Sequence, residues 1–195
     1  MNGYHYPFHH LLTLLSSWTS LSPQFRRELN KSLALQHVNA KQELIAIGKH
    51  LQQAWYSVDC WVAEFRVTED GREEVSAIHS PNTIFTDINS FLTGETSHQS
   101  FTVINGTQLI SIKRQQFNQL RIHPETPLLL EHYFLAQHQT DQWRLDLMYL
   151  SDRQKFNRFA ASYPVNQLPG KLCASFLRMT PSRYSAAKKF HNLGK

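Results

Sequence analysis

The sequence predicts an α+β protein: an N-terminal helix pair, a small β sandwich or barrel, a long helix and a C-terminal group of short helices. Three observations carry this. Apolar residues recur every three or four positions towards both ends of the chain. Between about 36 and 113 the period changes to two, punctuated by turn dipeptides. Charge is also segregated, with residues 153–195 carrying +9 and no Asp or Glu, and residues 1–152 carrying −4.

Residues 7–35 read as helical through Leu11, Leu14, Leu15 and Trp18, and Ser22-Pro23 starts a second helix running through Phe25, Leu29 and Leu33. Trp61, Ala63, Phe65 and Val67 then fall on one face of a strand, with Val62, Glu64 and Arg66 on the other. Asp70-Gly71 suits a type I′ hairpin turn, which needs positive φ at both central residues. Val75–His79 returns, and Ser80-Pro81-Asn82 breaks the chain. Phe101–Ile104 and Leu109–Lys113 form a second hairpin about Asn105-Gly106. Short strands with such turns indicate a sandwich or barrel.

Residues 114–122 read as a short helix, closed by His123-Pro124. A helix of about 125–150 follows, with Leu129, Tyr133, Ala136, Thr140, Trp143, Leu147 and Leu150 at alternating spacings of four and three. That is the seam of a two-stranded coiled coil, so these residues are expected to join two copies of the chain. Asp152 is a candidate cap for a helix of 153–162, ended by Pro164. Leu168–Leu177 is a further helix. Thr180-Pro181 starts the last one, which runs to about Phe190 with Gly194 beyond it. Two short helices about a tight turn, inside a +9 block, make a helix-turn-helix.

Composition excludes several classes. With 41% hydrophobic and 18% charged residues the chain is globular, and no apolar run reaches membrane-spanning length. The first twenty residues lack a basic leader and a long apolar stretch, so a cytosolic protein is expected. Cys60 and Cys173 match no metal or redox spacing. The eleven histidines are scattered, with His5, His9 and His10 an irregular N-terminal group, and no His-x-His pair supports a metal-dependent enzyme on the roll. With only 7 glycines no phosphate-binding glycine loop can be drawn, and no catalytic residues, metal or cofactor are assigned.

The basic block is not a solvated tail, because its cations alternate with Phe156, Phe159, Tyr163, Leu172, Phe176 and Tyr184, which need a core. Lysine and arginine gain binding energy at phosphates by releasing condensed counterions, so double-stranded DNA is the expected partner.

Several stretches resemble the Crp/Fnr family, in its short Bacteroidetes variety. They are Thr68–Glu73 with its Asp-Gly hairpin, Phe91-Leu92-Thr93-Gly94 with Glu95-Thr96-Ser97, Arg158-Phe159 with Tyr163-Pro164, and Leu172–Pro181. The resemblance spans about residues 20–190. It implies a double-stranded β-helix, or jelly roll, of cyclic-nucleotide-binding type over 1–122, a dimerisation helix over 123–150 and a DNA-binding domain over 151–195. It further implies a homodimer that senses a small-molecule effector and reads successive major grooves.

Several departures qualify it. Cyclic-nucleotide binders of the family offer a Gly-Glu helix start and an Arg followed by Ser or Thr. Here those places read Thr86-Asp87-Ile88 and Ser97-His98-Gln99-Ser100. Thr86, Asp87, Ile88, His98, Gln99 and Ser100 are therefore the candidate pocket, without the cation a buried phosphate requires. Cys60 also replaces a usual glycine and Ala63 a common arginine, and Trp55, Trp61 and Phe85 are candidates to fill the roll. The family's base-reading Glu and Arg are replaced by Ser182 and Ala186. Tyr184 and Ala187 are assigned to the core. Ser182, Arg183, Ser185, Ala186 and Lys189 face the groove, and Lys171, Arg178, Lys188 and Lys189 face phosphates. Arg178 stands at the family's turn glycine, where a positive φ would strain it. The alternative is a degenerate member, a protein-interaction or ligand-binding module without specific DNA readout.

Overall fold

The structure, a computed structural model, describes residues 6–193. His5, Gly194 and Lys195 lie outside the described residues. Helices α1 (Tyr6–Trp18) and α2 (Pro23–Ser32) open the chain. Ser22 caps α2 by accepting the Phe25 N–H at 3.2 Å, and Pro23 occupies the first turn, where a missing N–H costs nothing. The second helix was expected to run through Leu33, but the chain turns extended there.

Eight strands follow: β1 (Leu33–His37), β2 (Glu43–Ile45), β3 (Gln53–Ser57), β4 (Trp61–Val67), β5 (Glu73–His79), β6 (Ile84–Phe85), β7 (Gln99–Asn105) and β8 (Gln108–Lys113). Helix α3 (Ile88–Thr93) lies between β6 and β7. The strands make two antiparallel sheets, ordered β1-β8-β3-β6 and β2-β7-β4-β5. This is the expected jelly roll. Its hairpin turns differ from expectation, since only Gly71 (φ 77°) and Gly106 (φ 97°) have positive φ, and neither Asp70 nor Asn105 does. Neither turn is therefore type I′. At Gly106 a Cβ would come within 2.5 Å of the Cys60 Cα, so the close crossing of the two loops needs glycine.

Helices α4 (Arg114–Leu120), α5 (Glu125–Met148), α6 (Asp152–Ser162), α7 (Gly170–Phe176) and α8 (Pro181–Leu193) complete the chain. Ser151, not Asp152, holds the cap position of α6, and Gln154 closes it by accepting the Ser151 N–H at 3.2 Å. Asp152 is the first helical residue and is left available to another partner. Among the described residues no helix is long and apolar enough to cross a membrane.

Three cores hold these parts. Leu51, Val62, Phe85, Phe91, Phe101, Val103 and Leu109 fill the roll. Leu11, Leu15, Phe25 and Leu29 of α1 and α2 cover the outer face of the first sheet at Tyr56 and Ile110. Phe156, Phe159, Phe176, Leu177 and Tyr184 form the core of the C-terminal helices, and Val75 and Ile78 of the second sheet enter that same cluster. Trp61 and Phe65 pack there too. The helical module is thus seated on the outside of the roll, with Leu147 of α5 fully buried between them. Burial of large side chains at this scale contributes roughly 1.5–3 kcal/mol each.

Candidate functional site

The turn between α7 and α8 is built by short-range chemistry. The Thr180 hydroxyl accepts the Arg183 N–H at 3.3 Å, with Pro181 in the first turn of α8. Lys155 donates to the Leu177 carbonyl at 3.3 Å from a buried position, closing the end of α7. Tyr184 and Ala187 are buried, as their spacing predicts. Ser182, Arg183, Ser185, Ala186 and Lys189 all lie on the exposed side of α8, and Lys171 is exposed on α7.

The cations of this surface are not equally available. Arg183 makes two bonds of 2.6 Å to the Asp152 carboxylate, which restrains its fork at the start of α6. Lys188 is half-buried and donates to the Val165 carbonyl at 3.1 Å. Arg178, assigned to phosphate from the sequence, instead reaches back to the roll and pairs with Glu74 of β5 at 3.1 Å. Its φ is +51°, so the strain anticipated at the glycine position is present.

The candidate pocket divides. Thr86, Asp87, Ile88 and Gln99 line a cavity of ≈ 450 Å³ between the roll, α5 and the C-terminal helices. His98 is exposed on the loop, and Ser100 is buried away from that cavity. Asp87 is fully engaged. It accepts from the Ser90 N–H at 3.2 Å, the Ser90 hydroxyl at 2.8 Å, the Ser97 hydroxyl at 3.1 Å and the His98 N–H at 3.0 Å. Burial alone would raise its carboxyl, but these donors outweigh it and hold the group below the usual carboxylate range. Donors that could receive an anion at the start of α3 therefore already hold a carboxylate.

The roll interior is filled as expected by Trp55 and Phe85, stacked at 5.7 Å, with Phe101 beside them. Trp61 does not join them, because β4 points it outward against Tyr163. Inside the roll Glu64 pairs with His79 at 3.0 Å and accepts from the Ser76 hydroxyl at 2.6 Å. Alternation along β4 places Glu64 with Val62, but nothing in the sequence identifies its partner.

Three arginines missed by the sequence reading, or assigned elsewhere, converge on the cavity: Arg66 from β4, Arg144 from α5 and Arg178 from the turn. Arg144 donates to the Val75 carbonyl at 2.9 Å and stacks over Phe176, leaving its buried Nε without a hydrogen-bond partner. Burial and then the nearby Arg66 work against its charge. The cavity, expected to lack a cation, is thus lined by three, and no linear signal brings them together, since they come from separate elements.

The seam expected on α5 is a correction. Leu129 packs on the N-terminal helices, Tyr133 is buried, Trp143 and Leu150 pack on the C-terminal core, and Leu147 is fully buried. Of that set only Ala136 and Thr140 are exposed. The strip is the inward face of α5, packed on its own chain. One residue away, Leu128, Leu135, Gln142 and Tyr149 repeat every seven positions with Leu145 between them, and all are exposed.

Among the described residues no group of three or more potential metal ligands is assembled. Residues 35–123 match the cyclic nucleotide-binding domain family. No curated protein matches the chain at a significant level. Among solved structures, FixK2 from Bradyrhizobium japonicum is 15% identical over 83% of this chain and 86% of that one, with a TM-score of 0.69. CLP of Xanthomonas campestris, a c-di-GMP-responsive global regulator, is 13% identical over 89% of this chain and 93% of its own, with a TM-score of 0.66. The catabolite activator protein of Thermus thermophilus gives 17% identity, coverages of 91% and 85%, and a TM-score of 0.55. Residues 35–123 therefore match the cyclic nucleotide-binding domain family, and the roll, the long helix and the C-terminal helices together share the fold of FixK2, CLP and the Thermus catabolite activator protein.

Proposed function

We propose that this protein is a cytoplasmic DNA-binding transcription regulator that acts as a homodimer and whose roll does not take a cyclic nucleotide by its phosphate. One observation carries the DNA reading: α8 exposes Ser182, Arg183, Ser185, Ala186 and Lys189 together, in a segment with nine cations and no acid. A helix of this kind fits the major groove, with Lys171 and Lys189 towards phosphates. The effector reading rests on Asp87, whose carboxylate occupies the donors an anion would use, and on the arginines of the same cavity being engaged, Arg66 and Arg178 with Glu74 and Arg144 with the Val75 carbonyl. The dimer reading rests on the exposed seven-residue repeat of α5.

A second reading is favoured by the Arg183–Asp152 pair. With Arg183 held and Ser182 and Ala186 too short to read bases bidentately, α8 grips the backbone without selecting sequence. Selection from random duplexes, followed by salt titration with competitor DNA, separates the two. Specific regulation requires an enriched sequence whose binding survives competitor. A steep, sequence-independent salt slope with no enrichment overturns it.

A further inference from the structure

The space between the N-terminal helices and the first sheet is not filled. A half-open apolar cavity of ≈ 130 Å³ lies there, walled by Leu15 and Trp18 of α1, Phe25 of α2, Ala54 of β3, Ile110 of β8 and Leu130 of α5. Thr86 and Ile88 are wall residues both of this cavity and of the junction cavity that Asp87 lines. Protein interiors are normally packed to the density of organic crystals, with few voids larger than a water molecule.

Contacts between helices lie at its edges. The Ser22 N–H donates to Glu125 at 2.9 Å, and His123 meets Glu28 at 2.7 Å, so α2 is tied to the start of α5. Trp18 stacks on His132 at 6.1 Å, tying α1 to the same helix further along. These contacts link α1 and α2 to α5 beside the cavity.

Chemistry defines the guest. No Asp, Glu, Lys, Arg or His lines the cavity. The phenols in the wall are already engaged: Tyr56 donates to Asn82 at 2.9 Å, and Tyr133 donates to the Thr86 carbonyl at 3.4 Å while accepting from Gln137 at 2.8 Å. The Thr126 hydroxyl donates to the Leu120 carbonyl at 2.6 Å. A charged guest would lose its hydration without replacement. Apolar cavities of about 150 Å³ stay dry and accept benzene or xenon.

We propose that this cavity is a ligand site of the sensor for a small, neutral, apolar molecule of about benzene size. It binds by burial and shape alone, against a wall contributed in part by α5.

The test uses the full chain with benzene, xenon and benzoate as probes. Benzene at tenfold over its Kd is expected to raise Tm by ~3 °C, saturably, while benzoate gives no shift. Ala54→Ile and Leu15→Phe, each adding carbon into the void, are expected to raise the ligand-free Tm and erase the benzene shift. Xenon is expected at the site in crystals of the unaltered protein. Absence of both a benzene shift and xenon density overturns the proposal, as does a benzene shift that persists in whichever filling variant folds. An equal shift with benzoate overturns the neutral class.

Discussion

Glu74 Oε1 accepts a hydrogen bond from Arg178 Nη2 at 3.1 Å, which joins the second sheet of the roll to the turn between α7 and α8. The same oxygen receives Arg66 Nε at 2.7 Å. The Val75 N–H beside it donates to Ser175 of α7 at 3.0 Å, and the Val75 carbonyl receives Arg144 of α5. One strand edge is thus held by α5, α7 and the turn at once. An arginine at positive φ costs on the order of 1 kcal/mol or more against glycine, and the conformation closes α7, with the Met179 N–H donating to the Ala174 carbonyl at 2.9 Å and the Arg178 N–H to the Ser175 carbonyl at 3.0 Å.

While paired with Glu74, Arg178 is turned to the roll and not to phosphate. Glu74→Gln removes the charge and keeps the shape. Duplex affinity at low salt is expected to rise, and the slope of log K against log salt to steepen by about 0.9, one further cation being released to the backbone. Fluorescence anisotropy across a salt series measures this. An unchanged slope means that Arg178 stays on Glu74 in the DNA complex, and the expectation fails.

Acid should loosen both Asp87 and Glu74. For Glu74, burial pushes the carboxyl up, but bonds from Arg66 and Arg178 hold it below its ordinary value. Both groups are depressed in the folded state. Their contribution is present above the unfolded values, about 4, and is lost as pH falls through the folded ones. Stability should therefore decline below about pH 4. Asp87→Asn should cost about 1–2 kcal/mol at pH 7, through a weakened cap and poorly received donors, and should flatten the acid limb. Urea midpoints at pH 7, 5 and 3 decide it; parallel curves for variant and parent would count against the role given to Asp87.

What could be read from the sequence follows from where the signal lies. The faces of α8 were legible because Tyr184 and Ala187, three apart, sit in a short helix with one buried side. Strands β4, β5, β7 and β8 were legible through alternation or through their Asp-Gly and Asn-Gly turns. Strand β3 was not, because Ala54, Trp55, Tyr56 and Ser57 are all buried and a strand covered on both faces has no period of two. Leu33 passed for helix because it continues the spacing of Phe25 and Leu29, yet it pairs with Ile112 on β8. The junction of Arg66, Glu74, Arg144 and Arg178 was invisible for a different reason. Those residues are up to 112 positions apart, and only the seating of the helical module on the roll brings them together.

Both thiols should be inert in the native protein. Burial, with the thiol's donation to Asp59, pushes Cys60 up to about 12. Burial also raises Cys173. The thiolate is the reactive form, and neither group offers it at pH 8. A thiol-disulfide reagent should titrate no thiol in the folded chain and both after unfolding. Rapid labelling of one thiol without loss of structure would contradict the packing at that site.

The two strips of α5 make opposite predictions, and this separates dimerisation from folding. Leu147 is fully buried within its own chain, so Leu147→Ala should cost about 2–5 kcal/mol of stability. Leu135 and Leu145 are 51% and 52% exposed, so replacing them costs the isolated chain little. In a dimer paired through the repeat of Leu128, Leu135, Gln142 and Tyr149, the same two residues are seam knobs. Leu135→Glu with Leu145→Glu places carboxylates from both copies against each other across that seam. Sedimentation equilibrium is expected to report a dimer for the parent and for Leu147→Ala at temperatures where it stays folded, and a folded monomer for the double glutamate. A double variant that remains dimeric rules out this seam. A double variant that unfolds instead means the strip supports the chain's own core.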